Sequence, residues 1–424
     1  MPVKEFSKNN HLSDTRKTLK WNYFCNTLDG SLYALGMGMV PLNTVILFFI
    51  SGFVEQKWLI GFISFLNVFL TYSPQILLSK KIEKLKLHKP FLIFVAFFIR
   101  LLWLILGLDV ILFAKSDPVL FVILFYIIYS LIGLASAFSN IAWFNFIVKI
   151  IPAEVRGKFL GIRSSIAGIF ESTGSLLLGL ILKICPYPLN YGVLFIVVSA
   201  ITFMSLWVLS LSRETESPER PADILQQQEG YISRSKRILK EDVNFTIYII
   251  TIILIMGLGK MAFAFQIIFA KEKLGITIEQ LSYSTFILLA CQTIGYLLWG
   301  ILGDRNGFKI TLEISTIIFI PSIIFTYLMS SVAVFYISMA LFGLAQSARN
   351  FNESNLAINL CRKEENQPLY IGLRNLITGP FFALTPVLAG FIYDFLGYDL
   401  LFILSVIFMA VGFYIMRVYV KEYK

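Results

Sequence analysis

Long apolar runs alternate with short polar connections along this chain. A helix needs about 20 mostly apolar residues to cross a bilayer. Twelve runs have that character: 21–50, 57–78, 90–114, 118–148, 157–183, 189–211, 244–270, 279–302, 309–330, 331–358, 368–393 and 398–417. Pro41, Pro321 and Pro386 fall inside runs and predict kinks, because proline lacks an N–H and crowds the preceding turn. The longest polar stretch, 212–243, contains Ser217-Pro218-Glu219-Arg220-Pro221 and Gln226-Gln227-Gln228 and reads as a flexible tether. The pattern thus predicts a polar tail (1–20), six spans (21–211), the tether (212–243), six more spans (244–417) and a short tail (418–424).

The two sets of spans are related. Phe159-Leu160-Gly161-Ile162-Arg163 is echoed 211 residues later by Tyr370-Ile371-Gly372-Leu373-Arg374, and Gly168 and Gly179 by Gly379 and Gly390. At an offset of 210, Gly133-Leu134-Ala135 and Asn140 match Gly343-Leu344-Ala345 and Asn350. Self-similarity at about half the chain length implies a duplicated architecture. Gly161 with Gly168, and Gly372 with Gly379, are seven apart and share a helix face, which suits close packing or a moving interface.

Charge sets the orientation. With the N-terminus placed in the cytoplasm, 29 Lys and Arg fall in cytoplasmic segments, against Lys57, Lys115, Lys183, Lys271 and Lys273 on the other side. By the positive-inside rule both termini are cytoplasmic. The net charge of +10 is therefore a consequence of insertion and needs no nucleic-acid partner. Composition agrees with a lipid solvent: 57% of residues are hydrophobic, 15% are charged, Phe occurs 40 times, and the mean hydropathy is +0.76. The first 20 residues carry no apolar run or cleavage site, so the first span is expected to start insertion itself. Cys25, Cys185, Cys291 and Cys361 are scattered, and His11 and His88 lie outside the runs, so neither metal nor cofactor is expected.

The connection after span 8 reads Gly300-Ile301-Leu302-Gly303-Asp304-Arg305-Asn306-Gly307-Phe308-Lys309. It resembles the G-x-x-x-D-R-x-G-[RK]-[RK] loop of the major facilitator superfamily, with Phe308 replacing one basic residue. Pro152-Ala153-Glu154-Val155-Arg156-Gly157 resembles that superfamily's P-x-E-x-R-G connection after span 4. The loop after span 2, Leu78–Lys84, lacks the Asp-Arg pair and the glycine. With twelve spans in two halves, the resemblance covers nearly the whole chain. It implies an all-α membrane protein with twelve transmembrane helices in two pseudo-symmetric six-helix bundles. It also implies a transporter, not an enzyme, with spans 1 and 7 lining a central cavity. Gly300, Asp304, Arg305, Gly307, Arg156, Arg163 and Arg374 become gating candidates. Asp304 would face the start of span 11, and Arg163 and Arg374 would sit on the first turns of spans 5 and 11.

Asp29, Arg100, Glu171 and Lys260 lie well inside spans. At the bilayer centre each costs ~2.5–3.5 kcal/mol on insertion scales, so they must face protein or water and tend to pair. Asp29, on cavity-lining span 1, is the foremost candidate for proton coupling or substrate binding, and Glu171 on span 5 can serve the same end. Lys260 on span 7 can neutralise an anionic substrate or act as counter-ion to Asp29. Arg100 reads equally as a structural charge. Spans 4 and 10 add Asn140, Asn145, Gln346, Asn350, Asn352, Asn355 and Asn359, and Arg349 and Glu353 share a helix face at four residues apart. Buried amides demand partners, which a polar solute or another helix can supply.

No Walker P-loop, H-E-x-x-H or G-x-S-x-G sequence occurs. The expected function is a secondary active transporter, monomeric and in the plasma membrane, moving a small polar solute such as a sugar or organic acid by proton-coupled alternating access. A drug or metabolite efflux antiporter is the alternative, although span 5 lacks the G-x-x-x-G-P-x-x-G-G pattern of such proteins. A membrane-embedded enzyme or lipid-handling protein is the third reading.

Overall fold

The computed structural model describes residues 3–83, 85–214, 237–361 and 367–422, with side chains placed for all but 3–16, 75–81, 83, 153–154, 350–351 and 368. Most of the tether, and most side chains of the segment 78–84 after span 2 together with those of Glu154, Asn350 and Pro368, thus lie outside the described residues. Among the described residues every regular element is helical; helices cover all twelve expected runs, and 10 of them are long and apolar enough to cross a membrane, with Leu369–Tyr419 counted as one. Spans 2 to 6 are Lys57–Glu83, Lys89–Phe113, Pro118–Ile150, Ala153–Ile181 and Leu189–Ser210. Spans 8 to 10 are Ile278–Asn306, Phe308–Leu328 and Val332–Asn359. Spans 11 and 12 form one long helix, Gln367–Tyr419, broken only at Gly397 (φ 85°) into 367–396 and 398–419.

Spans 1 and 7 are interrupted. Span 1 begins as Val3–Gly38, leaves the helix at Pro41, and resumes as a π-turn, Leu42–Ile46, and a short helix, Leu47–Ile50. Span 7 is Val243–Ile252, a π-turn over Ile253–Gly257, a 3₁₀ turn over Leu258–Lys260, and Met261–Leu274. Pro321 and Pro386 stay within continuous helices, so of the three prolines only Pro41 interrupts its span. Helix ends follow local chemistry: Asp117 and Asp242 accept the N–H of Leu120 (3.0 Å) and Phe245 (2.9 Å), and Thr277 with Gln280 forms a capping box.

The chain forms two compact units. The first comprises Met1–Met39, Leu70–Leu177 and Lys183–Pro221; the second comprises Val40–Phe69, Leu178–Leu182 and Ala222–Lys424. The division does not fall at the tether alone, because two segments of the first six spans belong to the second unit.

Within the first unit, spans 1 and 5 cross at Gly38 and Gly174. A Cβ on Gly38 would lie 1.9 Å from the Glu171 carbonyl oxygen, and one on Gly174 would lie 2.1 Å from that of Leu35. Only glycine permits this approach. Within the second unit, the segment 40–69 is fastened by polar and aromatic contacts. Asp394, near the end of span 11, accepts the N–H groups of Lys57 (3.1 Å) and Trp58 (3.0 Å) and so caps span 2. Lys57 Nζ lies 2.7 Å from Glu272 Oε1, the Tyr393 hydroxyl donates to Glu272, and Lys271 Nζ donates to Ser51 Oγ at 3.0 Å. Trp58 stacks on Phe391 at 5.3 Å, and a Cβ on Gly390 would meet the Trp58 Cα at 2.4 Å.

Each unit also carries a carboxylate cap just beyond its sixth span. Glu214 accepts the N–H groups of His88 (3.0 Å) and Lys89 (2.9 Å) at the start of span 3 and lies 3.1 Å from Lys149 Nζ. Glu422 accepts those of Phe308 (3.0 Å) and Lys309 (2.9 Å) at the start of span 9 and the amide of Asn359 (3.0 Å). Burial pushes the Glu214 carboxyl up, but the two N–H groups and the Lys149 ammonium together hold it below the usual carboxylate range.

Candidate functional site

Each unit holds a cluster of charges at membrane depth. In the first, Asp29 is 4% exposed. Ser205 Oγ donates to its Oδ1 at 2.6 Å, and Arg163 Nη2 stands 3.8 Å from its Oδ2. The Arg163 guanidinium also donates from Nε to the Asn26 carbonyl (3.1 Å) and lies 4.5 Å over the Trp143 ring. Gly30 makes room for it, since a Cβ there would lie 2.6 Å from the Arg163 Cζ. Arg100 is buried. It donates from Nε to the Thr202 carbonyl (3.2 Å) and from Nη1 to that of Ala96 (3.1 Å), and lies 5.3 Å over Tyr33.

In the second unit, Lys260 lies at the interruption of span 7. Its Nζ donates to Gln346 Oε1 at 2.5 Å and is surrounded by the rings of Phe342 (5.2 Å), Phe263 (5.6 Å) and Phe319 (5.9 Å). Gln346, Arg349 and Glu353 follow one another along a face of span 10. Arg349 Nε is 2.9 Å from Glu353 Oε1, and Arg374 Nη1 is 4.0 Å from Glu353 Oε2. The Tyr248 hydroxyl donates to the Glu353 carbonyl at 2.7 Å, and Arg349 lies 4.4 Å over Phe382.

Arg163 and Arg374 were expected near the starts of their spans as gating residues. Span 5 begins at Ala153, so Arg163 lies about 15 Å along the helix, and Arg374 lies about 10 Å beyond Gln367. Both therefore join the interior clusters, as does Arg349. These three leave the count of cytoplasmic cations without reversing its bias. Asp29 is paired within its own unit by Arg163, and Lys260 bonds within its own unit to Gln346, so the counter-ion expected of Lys260 for Asp29 is supplied by Arg163 instead. Arg156 donates to the carbonyls of Val148 (2.8 Å) and Ile151 (3.0 Å), which caps the end of span 4.

Glu171 is half-buried on span 5 and makes no hydrogen bond or ion pair among the described residues. Asn145 Nδ2 is buried without a hydrogen bond, Asn140 is exposed, and Asn355 is half-buried. Asn352 donates to Thr311 Oγ1 at 2.8 Å, and Asn359 serves the Glu422 cap, so these two amides bind other helices. A Cβ on Gly161, Gly300 or Gly379 would meet nothing within 4 Å, so these glycines are not close-packed. Gly307 takes φ 96° and ends span 8, as a tight reversal requires. Asp304 and Arg305 are exposed and have no partner among the described residues, while the nearby acid Glu313 pairs with Arg417 at 2.9 Å.

Residues 247–424 match the family model described as Major Facilitator Superfamily. The whole fold is similar to solved structures of transporters. A bacterial homologue of the human lysosomal transporter Spinster, in an inward-facing and unoccupied conformation, aligns with TM-score 0.67 at 13% identity, covering 96% of this chain and 99% of the other. A D-xylose–proton symporter gives 0.67 at 13%, covering 94% and 97%. The nucleoside transporter NupG gives 0.69 at 12%, covering 94% and 100%. Residues 247–424 thus match the Major Facilitator Superfamily, and the whole chain shares the fold of these solved transporters. No curated protein matches it.

Several buried polar residues in or near the clusters escaped the sequence reading. Ser205 and Tyr33 carry no motif and matter only through the charges beside them. Asp109 on span 3 is 4% exposed with neither carboxylate oxygen hydrogen-bonded, and an acid inside an apolar run was a legible signal that was passed over. Arg349 and Glu353 were legible as a pair but not as the partners of Arg374.

Proposed function

We propose that this transporter moves a small polar solute across the plasma membrane by proton-coupled alternating access, with both termini in the cytoplasm. One observation carries the proposal. Asp29 is a buried carboxylate in the broken span 1, held among the described residues by a hydroxyl and by an arginine 3.8 Å away. A carboxylate in such a setting changes its proton affinity when the arginine approaches or withdraws, which couples protonation to conformation. Glu171, lying beside the crossing of spans 1 and 5 with no partner of its own, is the second candidate carrier. The likeness to a proton symporter supports the reading at the level of fold. Asp304 and Arg305 are proposed to hold the cytoplasmic side shut in another state of the cycle. The fastening of segment 40–69 is proposed to break when the opposite side opens.

The test is solute uptake into proteoliposomes under an imposed pH gradient. Asp29→Asn is expected to abolish gradient-driven accumulation while leaving solute exchange measurable, and Glu171→Gln to weaken it. Full accumulation by both variants would sink the proton-carrier assignment.

A further inference from the structure

The buried cluster of the second unit contains more cations than anions. Glu353 stands against Lys260, Arg349 and Arg374. Arg349 and Arg374 flank Glu353 and share its charge. Lys260 has no carboxylate beside it among the described residues; its partners are one amide oxygen and three phenyl rings. Arg374 Nη1 is buried 4.0 Å from Glu353 Oε2, so its charge is answered by that carboxylate. A cation at membrane depth is expensive, and amide and ring contacts offset only part of that cost. Neutral sugars would leave the excess uncompensated.

We propose that the solute is an anion whose carboxylate or phosphate group is taken by Lys260. The proposal rests on the transporter reading and narrows it from polar solutes to anionic ones. The phenyl rings around Lys260 hold its ammonium without neutralising it. The charge is thereby kept available to an oxyanion, for which charge-assisted hydrogen bonds are the strong ones.

Thermal-shift titrations of the purified full-length protein, at constant ionic strength, test this with matched probes: D-glucose, D-gluconate, D-glucose 6-phosphate, succinate and inorganic phosphate. A ligand that binds the folded state raises the melting temperature saturably. At least one anion is expected to do so where glucose does not. Stabilisation by gluconate or succinate assigns a carboxylate, and stabilisation by the two phosphates assigns a phosphate. Lys260→Gln is expected to raise the apparent Kd for that anion at least about tenfold, and Lys260→Arg to retain most of the affinity. Should Lys260→Gln not yield monodisperse protein, Lys260→Met, which also removes the charge, is read in its place. The inference is overturned if glucose stabilises as well as its anionic partners, if no anion stabilises, or if the charge-removing variant keeps full affinity. None of these outcomes touches transport itself, which fails separately if no solute is taken up under any gradient.

Discussion

Arg163 and Arg374 occupy the same place in the sequence repeat, yet they answer different acids. Arg163 meets Asp29 from span 1, whereas Arg374 meets Glu353 from span 10. The duplication was legible in the five-residue echo. The partners were not, because an arginine side chain is long and the nearest acid depends on which helices pack around it. Gly30 shows how closely the first of these sites is shaped. In Gly30→Ala the new Cβ would strike the Arg163 guanidinium, which is the mobile end of a flexible side chain. The fold is expected to survive while the arginine leaves Asp29 and Trp143. Uptake should fall roughly tenfold or more, as displacement of a positioned charge does. Wild-type uptake by a monodisperse Gly30→Ala protein would count against Arg163 as the partner that tunes Asp29.

At the scale of elements, run length and apolarity sufficed to read twelve helices, since a segment in lipid must satisfy its own backbone. Their interruptions were half legible. Pro41 announced the break in span 1, but span 7 breaks without a proline, through π and 3₁₀ turns around Gly257 and Gly259. The carboxylate caps were not legible at all, because Glu214 and Glu422 lie in connecting segments and cap helices far away in sequence. Glu214 gives a pH test. Its folded pKa is depressed, so its contribution is complete above the ordinary carboxylate range and is lost as pH falls through the lowered folded value. Glu214→Gln should therefore melt below the wild type at pH 7, at a cost of about 1 kcal/mol. The gap should close as the pH drops below about 4. A gap independent of pH would show that the carboxylate charge is not what matters there.

At the scale of the molecule, a tether separates two sets of six spans, but the compact units do not divide there. Segment 40–69 packs with the second unit because Asp394 caps span 2 and Trp58 lies against Gly390 and Phe391. If transport requires this contact to open, a covalent link across it must stop transport. In a variant with the four free cysteines replaced by serine, a bifunctional thiosulfonate reagent is expected to link Lys57→Cys to Glu272→Cys, whose native side chains meet at 2.7 Å. Uptake should then cease and return on reduction. Unaltered uptake by the fully cross-linked protein would remove this contact from the transport cycle.

The amino-acid sequence by itself determined the solvent, the helical spans and the duplication, and it supplied the proposed orientation. Each of these follows from apolar length, charge placement and self-similarity, which are properties of contiguous segments. It also pointed to Asp29 and Lys260, because an ionisable residue in an apolar run is costly wherever it sits. Only the tertiary structure decided which charges pair, that Arg163 and Arg374 belong to interior clusters, and that the cluster of the second unit retains an excess of cations. It also decided which first-half segment is fastened to the second unit. Those outcomes depend on side chains from several helices meeting within a few ångströms, and no local pattern records which helices meet.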